Sequence, residues 1–303
     1  MALGPRNRSD HPLKKEDDVR DAEILVGYDG STDASVALDW ALEEARHSGQ
    51  PVRLAYVFEW LTVASWVGPG VAPGVWPDDT ARRQVEDLVR RAAADATAAH
   101  PGLTITGQVY DGPPALVLQE SSAEAGLLVL GSRGHGGFGG LLAGSTAVSV
   151  AAHAHCPVVV VRDGTGRTPA DASAGPVAVG VDGSEPSLVA LGFAAERAAQ
   201  RQVPLRVLHA WTPGPNAEAG VPDERAAVEE ALEPWRRTFA ELTITVDLVP
   251  TSPAAMLIEA SRDARLVVVG SRGRGGLAGM LLGSVSQQLI QHAHCPVAVV
   301  RER

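Results

Sequence analysis

The chain has 303 residues, 45% of them apolar and 20% charged, the balance of a folded globular protein long enough for two ordinary domains. A formal charge of −10 opposes long-range attraction to nucleic acid and to anionic membrane surfaces, which excludes a bulk role at either. No apolar run approaches the roughly 20 residues that cross a bilayer.

Residues 1–21 are charged and lack the apolar region of a secretion signal, so they read as a disordered leader on a cytoplasmic protein. Ile24 to Tyr28 is the first buried strand. Ser31 caps a helix on which Leu38, Ala41, Leu42 and Ala45 recur at helical spacing. Val52 to Phe58 is a second strand, Asp78 to Ala99 a second helix and Leu103 to Tyr110 a third strand. Pro114 to Ala123 is helical, Leu127 to Leu130 a fourth strand, Ser145 to His153 a helix and Val158 to Val161 a fifth strand. The stretch 164–175 is polar and rich in chain-breaking residues, as a linker should be.

After the linker the order repeats. Val26-Gly27-Tyr28-Asp29-Gly30-Ser31 returns 153 positions later as Val179-Gly180-Val181-Asp182-Gly183-Ser184. Gly131-Ser132-Arg133-Gly134 and His153-Ala154-His155-Cys156-Pro157 return 139 positions later, as Gly270-Ser271-Arg272-Gly273 and His292-Ala293-His294-Cys295-Pro296. The second copy is therefore 14 residues shorter in its middle. A repeat of this size is a duplicated domain, with copies at 22–163 and 176–303. Strictly alternating strand and helix with near-continuous apolar strands predicts an α/β fold of two tandem doubly wound domains, each a parallel sheet covered on both faces. Ligands of such sheets bind beyond the carboxyl ends of the strands, where the winding reverses.

The fourth strand of each copy runs into spaced glycines: Gly131, Gly134 and Gly144-Ser145 in copy one, Gly270, Gly273 and Gly283-Ser284 in copy two. Glycines at a strand end let an anion approach the backbone. A helix then opens at Ser145 or Ser284, where unpaired amides and the positive end of the helix dipole face the loop. Arg133 and Arg272 add positive charge. That chemistry suits a di- or triphosphate, against the plainer reading of a long turn. A dinucleotide fingerprint is also matched by Gly134-His135-Gly136-Gly137-Phe138-Gly139, but that motif belongs after a domain's first strand, and this loop follows the fourth. Asp29 and Asp182 end their first strands facing the same edge. Each carboxylate suits a ribose hydroxyl or an exocyclic amine, or a cap on the following helix through Ser31 or Ser184, and the roles can coexist.

The Val-Gly-x-Asp-Gly-Ser starts, the glycine motif ending in Gly-Ser and the His-x-x-Cys-Pro-Val segments, each present twice, resemble a tandem universal stress protein of the ATP-binding subgroup from Ala22 to Arg301. The resemblance implies five parallel strands in the order 3-2-1-4-5 in each copy, and ATP, with or without Mg2+, as ligand. It implies adenine contacts from the backbone of Val57 and Ala210. It places phosphates against Gly131, Gly134, Gly144, Ser145 and Thr146, and against Gly270, Gly273, Gly283, Ser284, Val285 and Ser286. Copy one has Ala147 where copy two has Ser286, which implies weaker triphosphate contacts in copy one. Pairing of the two copies within the chain, and of chains into a homodimer, is implied as well.

No catalytic constellation stands out. Ser132 and Ser271 do not sit in a nucleophile elbow, and no general base is committed, which leaves at most slow ATP hydrolysis. His153/His155 and His292/His294 beside Cys156 and Cys295 crowd three potential ligands into four positions in each copy, so a structural role is favoured over zinc and the cysteines read as buried reduced thiols. Thr80, Val85, Leu88 and Val89, with the loop from Trp60 to Trp76, offer apolar surface either to a lid or core or to a partner.

Overall fold

A computed structural model describes residues 22–59, 79–134, 143–162, 175–211, 217–275 and 281–301. The expected leader, the tryptophan loop, the linker apart from Gly175, and the fingerprint glycines beyond Gly134 lie outside the described residues.

The elements of copy one are β1 (Ile24–Gly27), α1 (Thr32–Ser48), β2 (Val52–Phe58), α2 (Asp79–Ala99), β3 (Ile105–Asp111), α3 (Pro114–Ser121), β4 (Leu127–Gly131), α4 (Ser145–His153) and β5 (Val158–Val161). Copy two repeats them as β6 (Val177–Gly180), α5 (Glu185–Arg201), β7 (Leu205–Ala210), α6 (Ala217–Thr238), β8 (Ile244–Val249), α7 (Pro253–Ala260), β9 (Leu266–Gly270), α8 (Ser284–His292) and β10 (Val297–Val300). Ser31 starts α1 as its sequence suggests, accepting a hydrogen bond from the Ala34 N–H at 3.2 Å. Gly49, with φ +75°, ends it in the left-handed region. Strand three begins two residues later than expected because the Leu103 N–H still bonds to the His100 carbonyl in a turn.

Each copy has the strand order 3-2-1-4-5, all parallel, so β1 and β4 are neighbours at the reversal point, as are β6 and β9. The two sheets do not stand apart. They join edge to edge through β5 and β10 into one ten-stranded sheet, and this seam is antiparallel. Val159 lies opposite Ala298, its own repeat counterpart, while Val158 meets Val299 and Val160 meets Val297. A pseudo-twofold axis therefore passes through the seam. All four residues of both strands are buried, and an unpaired edge so apolar would invite aggregation. The outer edges, β3 and β8, carry polar side chains such as Gln108 and Asp247 instead.

Side chains alternate between two cores. Ile24, Val26, Leu127, Val129, Val179 and Val268 pack on one face under α1, α2, α5 and α6. Leu25, Leu128, Leu130, Ala178, Val267 and Val269 pack on the other under α3, α4, α7 and α8. Val89 of α2 belongs to the first core, whereas Leu88 beside it is 38% exposed.

Across the axis α1 meets α5. Glu44 is fully buried there and lies against Arg197 at 2.7 Å and against Arg201. The Arg197 Nε contact is held by charge, its angle not being that of a hydrogen bond, whereas Arg201 donates one. Glu43 accepts from Arg265 at 2.8 Å. Arg162, at the end of β5, donates to the Ile290 and Gln291 carbonyls in the last turn of α8, where a cation suits the negative end of the helix dipole.

Candidate functional site

The turn after the first strand of each copy places an aspartate at the reversal point. Gly30 and Gly183 adopt φ +82° and +77°, a conformation that turns the chain sharply into the next helix and that side-chain-bearing residues rarely take. Asp29 Oδ1 accepts the Ser31 N–H at 3.0 Å. Asp182 Oδ1 accepts the Ser184 N–H at 2.9 Å and the Ser184 hydroxyl, and its Oδ2 accepts the Arg274 N–H at 2.8 Å. The helix-capping reading of these carboxylates thus holds for the turn, although in copy two Ser184 spends its hydroxyl on Asp182 and does not cap α5.

Burial opposes the charge on Asp182, but hydrogen bonds from the Ser184 hydroxyl, the Arg274 and Ser184 N–H groups and Ser187 outweigh it, holding the carboxyl below the ordinary value of 3.8. A depressed folded-state pKa stabilises above the unfolded value, and the contribution is lost as pH falls through the folded one. Asp182→Asn is therefore expected to lower the Tm at pH 7, with the gap to wild type closing as the pH falls below the ordinary carboxylate value of 3.8 and through the lower folded one. Scanning calorimetry across that range checks it, and a Tm gap independent of pH contradicts it.

The glycine loop is built around the same aspartates. A Cβ added at Gly134 would lie 2.5 Å from Asp29 Oδ2, and one at Gly273 would lie 2.5 Å from Asp182 Oδ2, so the second glycine of each motif makes room for the carboxylate. The first glycine, Gly131 or Gly270, lets the start of α1 or α5 approach: a Cβ there would stand 2.7 Å from the Asp33 backbone or 2.8 Å from that of Pro186. The third, Gly144 or Gly283, is the N-cap residue of α4 or α8. Its N–H folds back to the Ser132 or Ser271 carbonyl at 2.7 Å, and neither helix has a side-chain cap. The first-turn amides of α4 and α8 therefore face the loop without the serine cap that Ser252 provides for α7.

In copy two a single cavity of about 450 Å³ gathers Asp182, Ala210, Gly270, Arg272, Gly273, Gly283, Ser284, Val285 and Ser286, all nine residues singled out in that half. Its volume lies in the range of small-molecule sites. Pro253, Met256 and Leu257 from α7, with Leu208 and Val269, supply an apolar wall that motif reading does not find, because these residues look like ordinary core. Arg274 was missed as well. Its signal is a second basic residue in Arg272-Gly273-Arg274, and it lines the cavity beside Gly183. Ser286 is 2% exposed and its hydroxyl donates to the Gly270 carbonyl at 2.8 Å, which gives it a partner inside the protein.

In copy one the same elements hold Asp29, Val57, Gly131, Arg133, Gly134, Gly144, Ser145 and Thr146, and residues 135–142 between them lie outside the described residues. Val57 packs on the same core as Ala210. A larger open groove of about 850 Å³ runs between α2 and the edge strand β3. Arg82, Glu86 and Gln108 line it, but no glycine loop or helix N-terminus does, so the smaller cavity is the chemically equipped one. The histidine segments serve the backbone: the His155 and His294 N–H groups donate to the buried hydroxyls of Ser122 and Ser261, and His153 Nδ1 lies 2.8 Å from the Ser149 carbonyl. Cys156 and Cys295 are buried and form no disulfide. Among the described residues no group of three His, Cys, Asp or Glu converges as a metal site.

The model of the universal stress protein family matches this chain twice, over residues 22–162 and 174–301. The chain belongs to the universal stress protein family. A universal stress protein of Mycobacterium tuberculosis is 37% identical over 288 residues, covering 92% of this chain and 96% of the relative. One from Mycolicibacterium smegmatis is 36% identical over 287 residues, covering 92% and 97%. Among solved structures, a universal stress protein from Archaeoglobus fulgidus superposes with a TM-score of 0.69 at 21% identity, covering 92% of this chain and 98% of that one, which shows the shared fold. No helix among the described residues of this universal stress protein is long and apolar enough to cross a membrane.

Proposed function

We propose that this universal stress protein binds ATP, with or without Mg2+, in the crevice of each half and acts as a nucleotide-dependent regulator of stress or dormancy responses. The observation that carries the reading is the convergence of uncapped helix N-termini, spaced glycines and an arginine on one crevice at the winding reversal. The first-turn amides of Ser145 and Thr146, and of Ser284 and Val285, suit the phosphates, and Gly144 and Gly283 leave the approach to them open. The apolar wall beside Ala210 suits adenine, and Asp29 or Asp182 suits the ribose. The residues present thus fit the ligand, and the chemistry they offer is binding and orientation. In this reading the protein works in the cytoplasm as a homodimer, with exposed Leu88 on α2 as apolar surface for a partner. Mass spectrometry of the purified, denatured protein tests the reading. It predicts ATP carried through purification, retained by wild type and depleted in a chain carrying both Gly144→Val and Gly283→Val. Equal nucleotide in both preparations contradicts it.

A further inference from the structure

Among the differences between the two crevices, one at a single position of the first helical turn changes what the glycine loop meets. Asp33 occupies it in copy one and Pro186 in copy two, 153 positions later. Both press on the first glycine of their loops in the same way, at 2.7 Å and 2.8 Å from the position of an added Cβ. Their chemistry is opposite. Asp33 is 5% exposed, and its Oδ2 accepts the Ser132 hydroxyl at 2.7 Å and the Arg133 N–H at 3.0 Å, with Arg133 Nε at 3.4 Å. A proline offers no side-chain acceptor. Among the described residues the Ser271 hydroxyl and the Arg272 guanidinium have no partner, and Arg272 lines the cavity. Each loop arginine has a second arginine within electrostatic reach, Arg162 for Arg133 and Arg301 for Arg272, and copy two adds Arg274 where copy one has His135.

From this we infer that Asp33 is a built-in anionic competitor at the copy-one glycine loop, and that ATP occupies copy two in preference to copy one. The inference rests on the ATP reading and adds to it which site fills first. The Asp33 carboxylate draws Arg133 towards α1 and places a fixed negative charge behind Gly131, so an incoming triphosphate meets an arginine already neutralised. The Ala147/Ser286 difference does not account for the preference, because the Ser286 hydroxyl is spent on Gly270.

Calorimetric titration of the full chain with ATP tests this when each site is read alone, copy one in a Gly283→Val background and copy two in a Gly144→Val background. Copy two is expected to bind about tenfold more tightly than copy one, the worth of one charge-assisted contact. Asp33→Ala should raise copy-one affinity about tenfold, and Pro186→Asp should lower copy-two affinity by a similar factor. If Asp33→Ala unfolds α1, the Pro186→Asp exchange carries the test by itself. Equal affinities at the two sites, or affinities that neither exchange moves, overturn the inference and leave ATP binding standing. Absence of binding at both sites overturns the ATP reading itself.

Discussion

Glu44→Ala is expected to destabilise the folded chain by about 3–5 kcal/mol, the usual cost of removing one partner from a buried ion pair. Glu44 has no solvent exposure, and the side chains of Arg197 and Arg201 opposite it are 11% and 4% exposed. Both arginines are also hemmed in by rings, Arg197 at 4.4 Å from the Phe193 centroid and Arg201 at 5.9 Å from that of Trp40. Without the carboxylate, two guanidinium groups would face each other in a space that admits little water. Urea unfolding reads the effect as a lowered midpoint, and a loss under about 1 kcal/mol would show that water reaches the cluster. The pair also bears on how the halves assemble. Glu44 and Arg197 are repeat counterparts, so a seam between two first copies would set carboxylate against carboxylate, and one between two second copies arginine against arginine. The attractive arrangement is the one between unlike halves.

Gly283→Val is expected to weaken ATP binding in copy two by about a hundredfold or more while leaving the fold intact. Gly283 has φ −70° and ψ 153°, which valine adopts readily, and an added Cβ would stand 3.3 Å from the Ser271 carbonyl, tight but without overlap. The branched side chain would nevertheless cover the first-turn amides of α8 at the mouth of the cavity. Losing two or more charge-assisted hydrogen bonds, each worth roughly 1.5–3 kcal/mol, corresponds to that factor. Calorimetric titration gives the affinity, and a thermal melt within a few degrees of wild type shows that the loss is local. Unchanged affinity would move the phosphates away from this helix.

Local features of the fold were legible because they rest on local physics. The alternation of apolar strands with amphipathic helices, the Ser31 cap and the buried stripe of Leu38, Ala41, Leu42 and Ala45 all follow from neighbouring residues. The duplication also exposed the glycine frame, and in copy two every residue singled out from it lines one cavity. What the sequence withheld depends on distant partners. A run of four valines such as Val158 to Val161 reads the same at a sheet edge and at a seam, so the union of β5 with β10 was invisible. Nothing near Glu44 in the chain marks it as buried, because its partners lie more than 150 residues away. Asp33 carries no motif signal, since only the folded chain brings Ser132 and Arg133 to it. The hydroxyl of Ser286 looked available to a ligand because its acceptor, the Gly270 carbonyl, belongs to the strand end behind it.

Calorimetric titration of the nucleotide-stripped full chain with ATP tests the central claim most directly. The account predicts saturable binding in two steps of unequal affinity, with the tighter step removed by Gly283→Val and the weaker by Gly144→Val. Absence of saturable heat with ATP at millimolar concentration would contradict it.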